Sequence, residues 1–269
     1  MPATATEART KSPAEVYDEL FVPALFGPWG EALCDRAEIG PGHVVLDVAC
    51  GTGVCALAAA RRVGAGGRVV GLDANPEMLA VARRKASPVE WREGRAENLP
   101  FPDGIFDRVV SQFGFMFFED QPGALGEMLR VLRPGGRVVV AVCDGLDHSP
   151  GYAVLTELLH RLFGAEVAEA FRAPFALGDR DRLRAIARAA DVGAFEVLRV
   201  DGTVRFASIE ALVSAERACV WTLGGLLDDK QLTRLLDAAE ESLAPFATED
   251  GAVAFGMPAL CLVVDKPAA

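Results

Sequence analysis

Two carboxylates, each at the end of a short apolar run and separated by a glycine-punctuated turn, are the residues of this chain best placed to hold a ligand. Asp47 interrupts the run Val44, Val45, Leu46, Asp47, Val48, and Asp73 closes the run Val69, Val70, Gly71, Leu72. A carboxylate near the end of a buried strand is costly unless something polar or cationic meets it, so Asp47 points to a ligand partner. Gly51 and Gly53 lie between the two acids, and without a Cβ they let the backbone turn tightly and approach a ligand. An acid about twenty residues beyond such glycines takes ribose hydroxyls in nucleotide crevices, the role expected of Asp73. The turn lacks the third glycine of a dinucleotide fingerprint and the Gly-Lys-Ser/Thr of a phosphate loop, which disfavours pyrophosphate and triphosphate ligands.

The elements that must position these acids follow from the apolar pattern. Strands are predicted at Val44–Val48, Val69–Leu72, Val89–Arg92, Phe106–Ser111 and Arg137–Cys143, with helices at Val54–Val63, Pro76–Lys85 and Pro122–Val131 between them. Such alternation predicts an α/β, doubly wound sheet. Ahead of it, Glu15–Leu25 reads as a helix that Phe26, Gly27, Pro28, Trp29 and Gly30 break before a second helix from Glu31 to Glu38. Beyond Cys143, Pro150–Phe163 and Glu166–Ala173 read as helices with no strand between them, followed by a helix at Asp179–Ala190 and a strand at Phe195–Val200. Helices at Ser208–Leu223 and Asp228–Leu243 precede a last strand at Val253–Val264. The expected organisation is one domain over residues 1–269. Within it lie an N-terminal helical lid at 12–40, a cofactor-binding core at 41–143, a helical insert at 144–178, and a C-terminal part at 179–269 with its own helical insertion at 208–243.

At this point the chain resembles the class I S-adenosylmethionine-dependent methyltransferases, in the small-molecule branch similar to the ubiquinone and menaquinone biosynthesis enzymes. The stretch Leu46 to Gly53 looks like the first motif of that family, and Gly71 to Leu79 like its ribose-binding strand end with the helix that follows. Gly94 to Phe101 resembles the adenine-side loop, Phe106 to Phe113 the fourth strand, and Leu129 to Arg137 the turn before the fifth. The resemblance implies a Rossmann-like sheet of seven strands with the last antiparallel. It implies S-adenosylmethionine as cofactor, S-adenosylhomocysteine as product, and no metal. Asp47 is then expected to orient the methionine amino group directly or through water, with Ala49, Gly51 and Gly53 giving close backbone contact. Asp73 is expected to hold the ribose, Ala74 and Met78 to flank adenine, and Ala96 and Glu97 to meet its edge. The backbone around Ser111 and Gln112 is expected to border the methionine part, and Tyr17, with the Phe26 to Trp29 turn, to cover the cofactor. The chain departs from the family at Arg95, where an Asp usually accepts from the adenine amino group. Glu97 or the backbone at Ala96 would then supply the acceptor, with Arg95 stacked over the base or turned to solvent.

The sulfonium already makes the methyl group electrophilic, so the protein must chiefly align a nucleophile. A base is needed only where the acceptor keeps a proton at neutral pH. Of the three histidines, His43 precedes the first strand and His160 falls inside a helical pattern. His148 follows the fifth strand, where a doubly wound sheet places ligand chemistry, and is the candidate base, with Asp144 and Asp147 beside it in sequence. Phe113, Phe115, Met116, Phe117 and Phe118 crowd the segment after the fourth strand. Such density suits an apolar small-molecule pocket as well as core packing. Phe113, Phe115 and Phe175 are the expected substrate contacts, with Phe171, Phe206 and Trp221 as further walls.

Composition narrows the partners. At 269 residues and 51% hydrophobic, the chain can bury a full core. A net charge of −11 argues against a nucleic-acid surface. Six cysteines are scattered without metal-ligand spacing and are expected to be reduced. Met1 to Lys11 has no apolar signal core, and no stretch is long enough to span a bilayer. The expectation is a cytoplasmic enzyme, monomer or homodimer, moving a methyl group to oxygen, carbon or nitrogen of a partly apolar small molecule in quinone-like or specialised-metabolite biosynthesis. The alternative keeps S-adenosylmethionine as a structural ligand and catalyses a cyclisation or other non-methyl reaction.

Overall fold

The computed structural model describes residues 11–219 and 221–268; most of the Met1 to Lys11 stretch lies outside them. Nine strands are described: β1 (Val44–Val48), β2 (Arg68–Asp73), β3 (Glu90–Glu93), β4 (Phe106–Gln112), β5 (Leu132–Cys143), β6 (Phe195–Val200), β7 (Thr203–Phe206), β8 (Val253–Gly256) and β9 (Ala259–Asp265). Seven form one sheet in the order β3-β2-β1-β4-β5-β9-β6. Neighbours from β3 to β5 pair in parallel, whereas β9 runs antiparallel to both β5 and β6. The sheet is therefore the seven-stranded, Rossmann-like arrangement expected, with its last strand antiparallel. The strand order reverses between β1 and β4, and ligands bind at such a switch point, outside the carboxyl ends of the strands.

Helices cover both faces: α1 (Pro13–Val16), α2 (Gly27–Arg36), α3 (Val54–Val63), α4 (Pro76–Arg84), α5 (Gln121–Val131), α6 (Pro150–Phe163), α7 (Ala165–Arg172), α8 (Arg180–Ala189), α9 (Ile209–Ala218) and α10 (Asp229–Leu243). Side chains alternate along β1. Val45 packs with Ala56 and Ala59 of α3, whereas Leu46 and Val48 join the larger core on the opposite face. The central positions of β1 and β5 are fully buried, which explains their near-continuous Val, Leu and Ala content.

Three expectations are corrected. The helical lead-in does not break at Gly27 and Pro28, because a π-helical run, Tyr17–Phe26, leads straight into α2. The Gly27 N–H reaches back to the Val22 carbonyl in the wide register, and Pro28 sits in the first turn of α2, where no N–H is needed. The predicted last strand is two strands in different sheets. Met257 and Pro258 separate them, since a proline cannot donate to a ladder, and β8 pairs with β7, a strand not anticipated, in a two-stranded sheet. The helix predicted to Leu223 ends at Ala218. There the Thr222 hydroxyl donates to the Glu216 carbonyl at 3.0 Å, taking the place of a further helical N–H.

Candidate functional site

The loop between β1 and α3 is shaped by three left-handed residues, Ala49 (φ 57°), Gly51 (φ 54°) and Gly53 (φ 94°). Ala49 adopts this conformation at a cost, which marks the loop as a held, non-default geometry. The loop is tied to β2, with the Cys50 N–H donating to the Leu72 carbonyl at 3.0 Å and the Gly51 N–H to Asp73 Oδ2 at 2.7 Å. The other Asp73 oxygen, Oδ1, accepts from the Asn75 N–H at 2.8 Å. Each carboxylate oxygen has a second lone pair, so Asp73 keeps acceptor capacity toward the space in front of it. Burial raises its pKa, and the Asn75, Gly51 and Ala74 amides oppose the rise.

That space is a cavity of about 560 Å³, within the range of small-molecule sites. At one end, Ala49, Gly51, Asp73, Ala74, Met78, Ala96 and Glu97 line it, all of them anticipated cofactor contacts. Tyr17 and Gln112 line its middle. Tyr17 stacks on Phe26 with ring centroids 5.2 Å apart, and Gln112 donates to the Phe26 carbonyl at 3.0 Å while its Oε1 is buried without a hydrogen-bond partner. The π-helical run packs over this side, and its Phe21, Leu25 and Phe26 also face the cavity. It is fastened by Lys85, whose ammonium donates to Asp18 at 2.6 Å and to the Thr52 carbonyl at 2.8 Å. Arg84 pairs with Glu15 of α1 at 2.8 Å.

Asp47, Gly53 and Ser111, three more of the anticipated cofactor contacts, do not line the cavity. Alternation on β1 points Asp47 with Val45, toward α3 and behind the loop. Its carboxyl is fully buried, both oxygens lack a hydrogen-bond partner, and burial pushes it up to about 8, the Ala56 amide lowering it and Asp73 raising it further. Gly53 is needed for packing, because a Cβ there would lie 2.4 Å from the Trp91 ring. Ser111 is buried with its hydroxyl unpartnered. Arg95 lines the mouth and turns toward acids rather than a base plane, pairing with Glu119 at 3.0 Å and Glu97 at 3.4 Å.

At the other end the cavity is aromatic. Phe171 and Phe175 line it beside Tyr152, whereas Phe113 lines the cavity next to Phe26 and Trp29, and Trp221 next to Tyr17 and Met78. Phe115 and Phe206 do not; Phe115 is fully buried and packs edge-on against Phe118, 5.4 Å away. Met116, Phe117 and Phe118 line the wall in its place, where the segment turns as a 3₁₀ helix over Phe115–Phe117. Phe113 itself is left-handed (φ 54°), which turns the chain out of β4 at the cavity.

His148 is not at the cavity. It sits in a 3₁₀ turn with its side chain 41% exposed, beside Asp144 at 3.2 Å and Asp147 at 3.7 Å. Asp144 is buried against Arg199, 3.1 Å away, so His148, Asp147, Asp144 and Arg199 form one polar cluster away from the cavity. The titratable residue that sequence reasoning missed is Glu216. It is 2% exposed, faces the aromatic end, and its Oε2 has no hydrogen-bond partner. A signal was present, since Ile209, Leu212, Val213 and Glu216 fall on one helical face and the last place in that apolar pattern is a carboxylate. All six cysteines are free thiols, with Cys143 and Cys219 on the cavity wall. Among the described residues no group of three or more His, Cys, Asp and Glu is arranged to hold a metal. No helix among them is long and apolar enough to cross a membrane.

A glycine loop at the switch point, an acid at the end of the adjacent strand and a seven-stranded sheet with one antiparallel strand define the class I methyltransferase fold. Residues 46–140 match the family model described as a methyltransferase domain. Demethylmenaquinone methyltransferase of Thermus thermophilus is 53% identical over 116 residues, covering 42% of this chain and 52% of that protein. The 2-phytyl-1,4-naphthoquinone methyltransferase of Synechocystis is 38% identical over 151 residues, covering 52% of this chain and 61% of that protein. The chain spans about half the length of the relatives it matches. Among solved structures, phosphoethanolamine N-methyltransferase 2 of Haemonchus contortus superposes with a TM-score of 0.61 at 19% identity, covering 97% of this chain and 59% of that one. The YcgJ protein of Bacillus subtilis superposes with a TM-score of 0.59 at 21% identity, covering 90% of this chain and all of that one. At such identities these two likenesses speak for the fold.

Proposed function

We propose that this protein transfers a methyl group from S-adenosylmethionine to an apolar, quinone-like small molecule. The observation that carries the reading is one cavity lined both by the glycine loop and the Asp73 strand end at the switch point and by aromatic rings from the later helices. The lining at the switch point fits the cofactor. Asp73 offers acceptors to a ribose, Ala74, Met78 and Ala96 offer flat apolar contact to a base, and Gln112 Oε1 is a buried acceptor for an ammonium. At Gly51 a built Cβ meets nothing closer than the Tyr17 hydroxyl at 3.9 Å, so the loop leaves room beside its backbone. When bound, the cofactor supplies a sulfonium-activated methyl group. The chain aligns the acceptor and excludes water, which is where most of the acceleration in such a transfer arises. The π-helical run and α1 act as the lid. The quinone-like acceptor rests on the aromatic wall and on the relatives named for naphthoquinone methylation, and nothing in the site favours the cyclisation alternative.

The test is calorimetric titration with S-adenosylmethionine and S-adenosylhomocysteine, followed by transfer of labelled methyl to chemically reduced demethylmenaquinone. Saturable binding near one equivalent and label in the naphthoquinol are expected. Absence of binding by folded protein free of copurified ligand would overturn the reading.

A further inference from the structure

We propose that Glu216 is the general base of this transfer, its Oε2 taking the proton from a hydroxyl group of an aromatic acceptor in the far end of the cavity; the assignment rests on the methyltransferase reading above. Glu216 is a carboxyl removed from water, placed on the wall of the cavity, with one oxygen that no protein group satisfies. A buried carboxyl is costly without a partner, and the cavity that Glu216 lines leaves room for one. The groups that face it are the Tyr152 and Thr222 hydroxyls and the Cys143 and Cys219 thiols. None of these carries a positive charge. Among the described lining residues the sole cation is Arg95, at the mouth, already held by Glu97 and Glu119. An anionic acceptor would meet Glu216 with no protein cation beside it to neutralise it. A neutral hydroxyl donates to the free oxygen instead, and rings such as Phe113, Phe171, Phe175 and Trp221 suit a flat acceptor body.

Burial pushes Glu216 up to about 7, with the Thr222 and Tyr152 hydroxyls opposing the rise. A carboxylate tuned to that range is a stronger base than a surface glutamate and is still substantially ionised at neutral pH. The step balances. The acceptor O–H bond breaks, its proton passes to Oε2, and the electron pair released, on oxygen or on the ring carbon it conjugates with, forms the bond to the methyl carbon. The methyl–sulfur bond breaks with its pair staying on sulfur. When carbon is the acceptor, the dienone formed then tautomerises, the proton of the attacked carbon passing to the ring oxygen to restore the aromatic hydroxyl. Carboxylate and sulfonium charges disappear together, which a low-dielectric cavity favours.

The experiment compares the wild type with Glu216→Gln, Glu216→Asp and Glu216→Leu. Transfer of labelled methyl to chemically reduced demethylmenaquinone is measured across the pH range around neutrality. The protein saturated with S-adenosylhomocysteine is also titrated with 1-naphthol, naphthalene and 1-naphthylmethylammonium. Glu216→Gln should bind S-adenosylhomocysteine as the wild type does, lose turnover on the order of 10²–10⁴-fold, and lose the acid limb of the kcat/KM profile; Glu216→Asp should recover part of both. The wild type should favour 1-naphthol over naphthalene by about tenfold, the size of one hydrogen bond to a charged group, and Glu216→Leu should abolish that preference. Normal turnover with an unchanged pH profile in Glu216→Gln overturns the assignment, as does tighter binding of the ammonium than of the naphthol. If the wild type binds S-adenosylhomocysteine but methylates no quinol, the acceptor reading fails, and the naphthol preference then decides for or against Glu216.

Discussion

At the scale of the residue, Asp73 joins local structure to ligand chemistry. Its two oxygens hold the Gly51 and Asn75 amides, so the same carboxylate that offers acceptors to the cavity also sets the glycine loop. Asp73→Asn should therefore weaken S-adenosylhomocysteine binding by about 1.5–3 kcal/mol, the worth of a charged hydrogen bond, and also lower the melting temperature; an unchanged affinity by calorimetry would remove Asp73 from the ligand. His148 stands in the opposite position. Its side chain is solvated and engaged with Asp144, so His148→Ala should retain near wild-type turnover, and a loss comparable to that of Glu216→Gln would restore it to the mechanism. Arg95 was legible as a departure from the family pattern, yet its destination was not. It pairs with two acids that are distant or adjacent in sequence, Glu119 and Glu97, and such pairing is a property of the folded surface.

At the scale of the element, the N-terminal helical segment is the one that propensity described least well. The Phe26 to Gly30 turn suggested a broken helix, whereas the π-helical run leads straight into α2 and places Tyr17, Phe21 and Phe26 on the cavity. Long-range contacts hold that geometry. Phe21 packs edge-on to Phe206 of β7 at 5.7 Å, and Lys85 spans Asp18 and the Thr52 carbonyl. Replacing Lys85 by Met removes the ion pair and leaves the Thr52 carbonyl without this donor. The expected result is several-fold faster release of S-adenosylhomocysteine in stopped flow and faster proteolytic cutting within Tyr17–Phe26, with the sheet still folded. Equal release rates would show that the lid is held by packing alone. Helix α9 teaches a related lesson, because its amphipathic pattern was evident while its early end was not. The Thr222 hydroxyl that caps it comes from beyond the last turn, and that turn delivers Trp221 and Thr222 to the cavity wall.

At the scale of the whole molecule, two buried carboxyls give stability a particular pH dependence. Burial raises Asp47 to about 8 and Glu216 to about 7. The unfolded chain releases these protons near the ordinary carboxylate range, so between there and the raised values the folded state binds more protons than the unfolded state. The stabilisation is full below the unfolded pKa and is lost as pH rises through the folded one, by about 1.4 kcal/mol per pH unit for each group. Glu31 and Glu127, held low by Arg61 and Arg130, act with the opposite sign, their stabilisation being lost only as pH falls below the ordinary glutamate range. From about pH 5 to about pH 8, Asp47→Asn should lose stability less steeply than the wild type in urea unfolding. Parallel slopes would mean that Asp47 is not protonated in the folded chain.

Sequence alone determined the doubly wound sheet, the glycine loop after β1 and the Asp73 strand end, because these depend on contiguous patterns: β-branched runs that must be buried on both faces, and glycines where the chain must take a left-handed turn. The folding of those runs also determined which side chains reach the cavity, and that was not local. Strand alternation sends Asp47 behind its loop, a 3₁₀ turn swaps Phe115 for Phe117 and Phe118, and β7 finds its partner β8 about fifty residues away. Only the tertiary structure brought α9 against the N-terminal helices at the cavity wall, turning an anomaly in an apolar helical face into a buried carboxyl lining the cavity. Burial and distance between remote elements set that role, and neither is written in the spacing of residues along the chain.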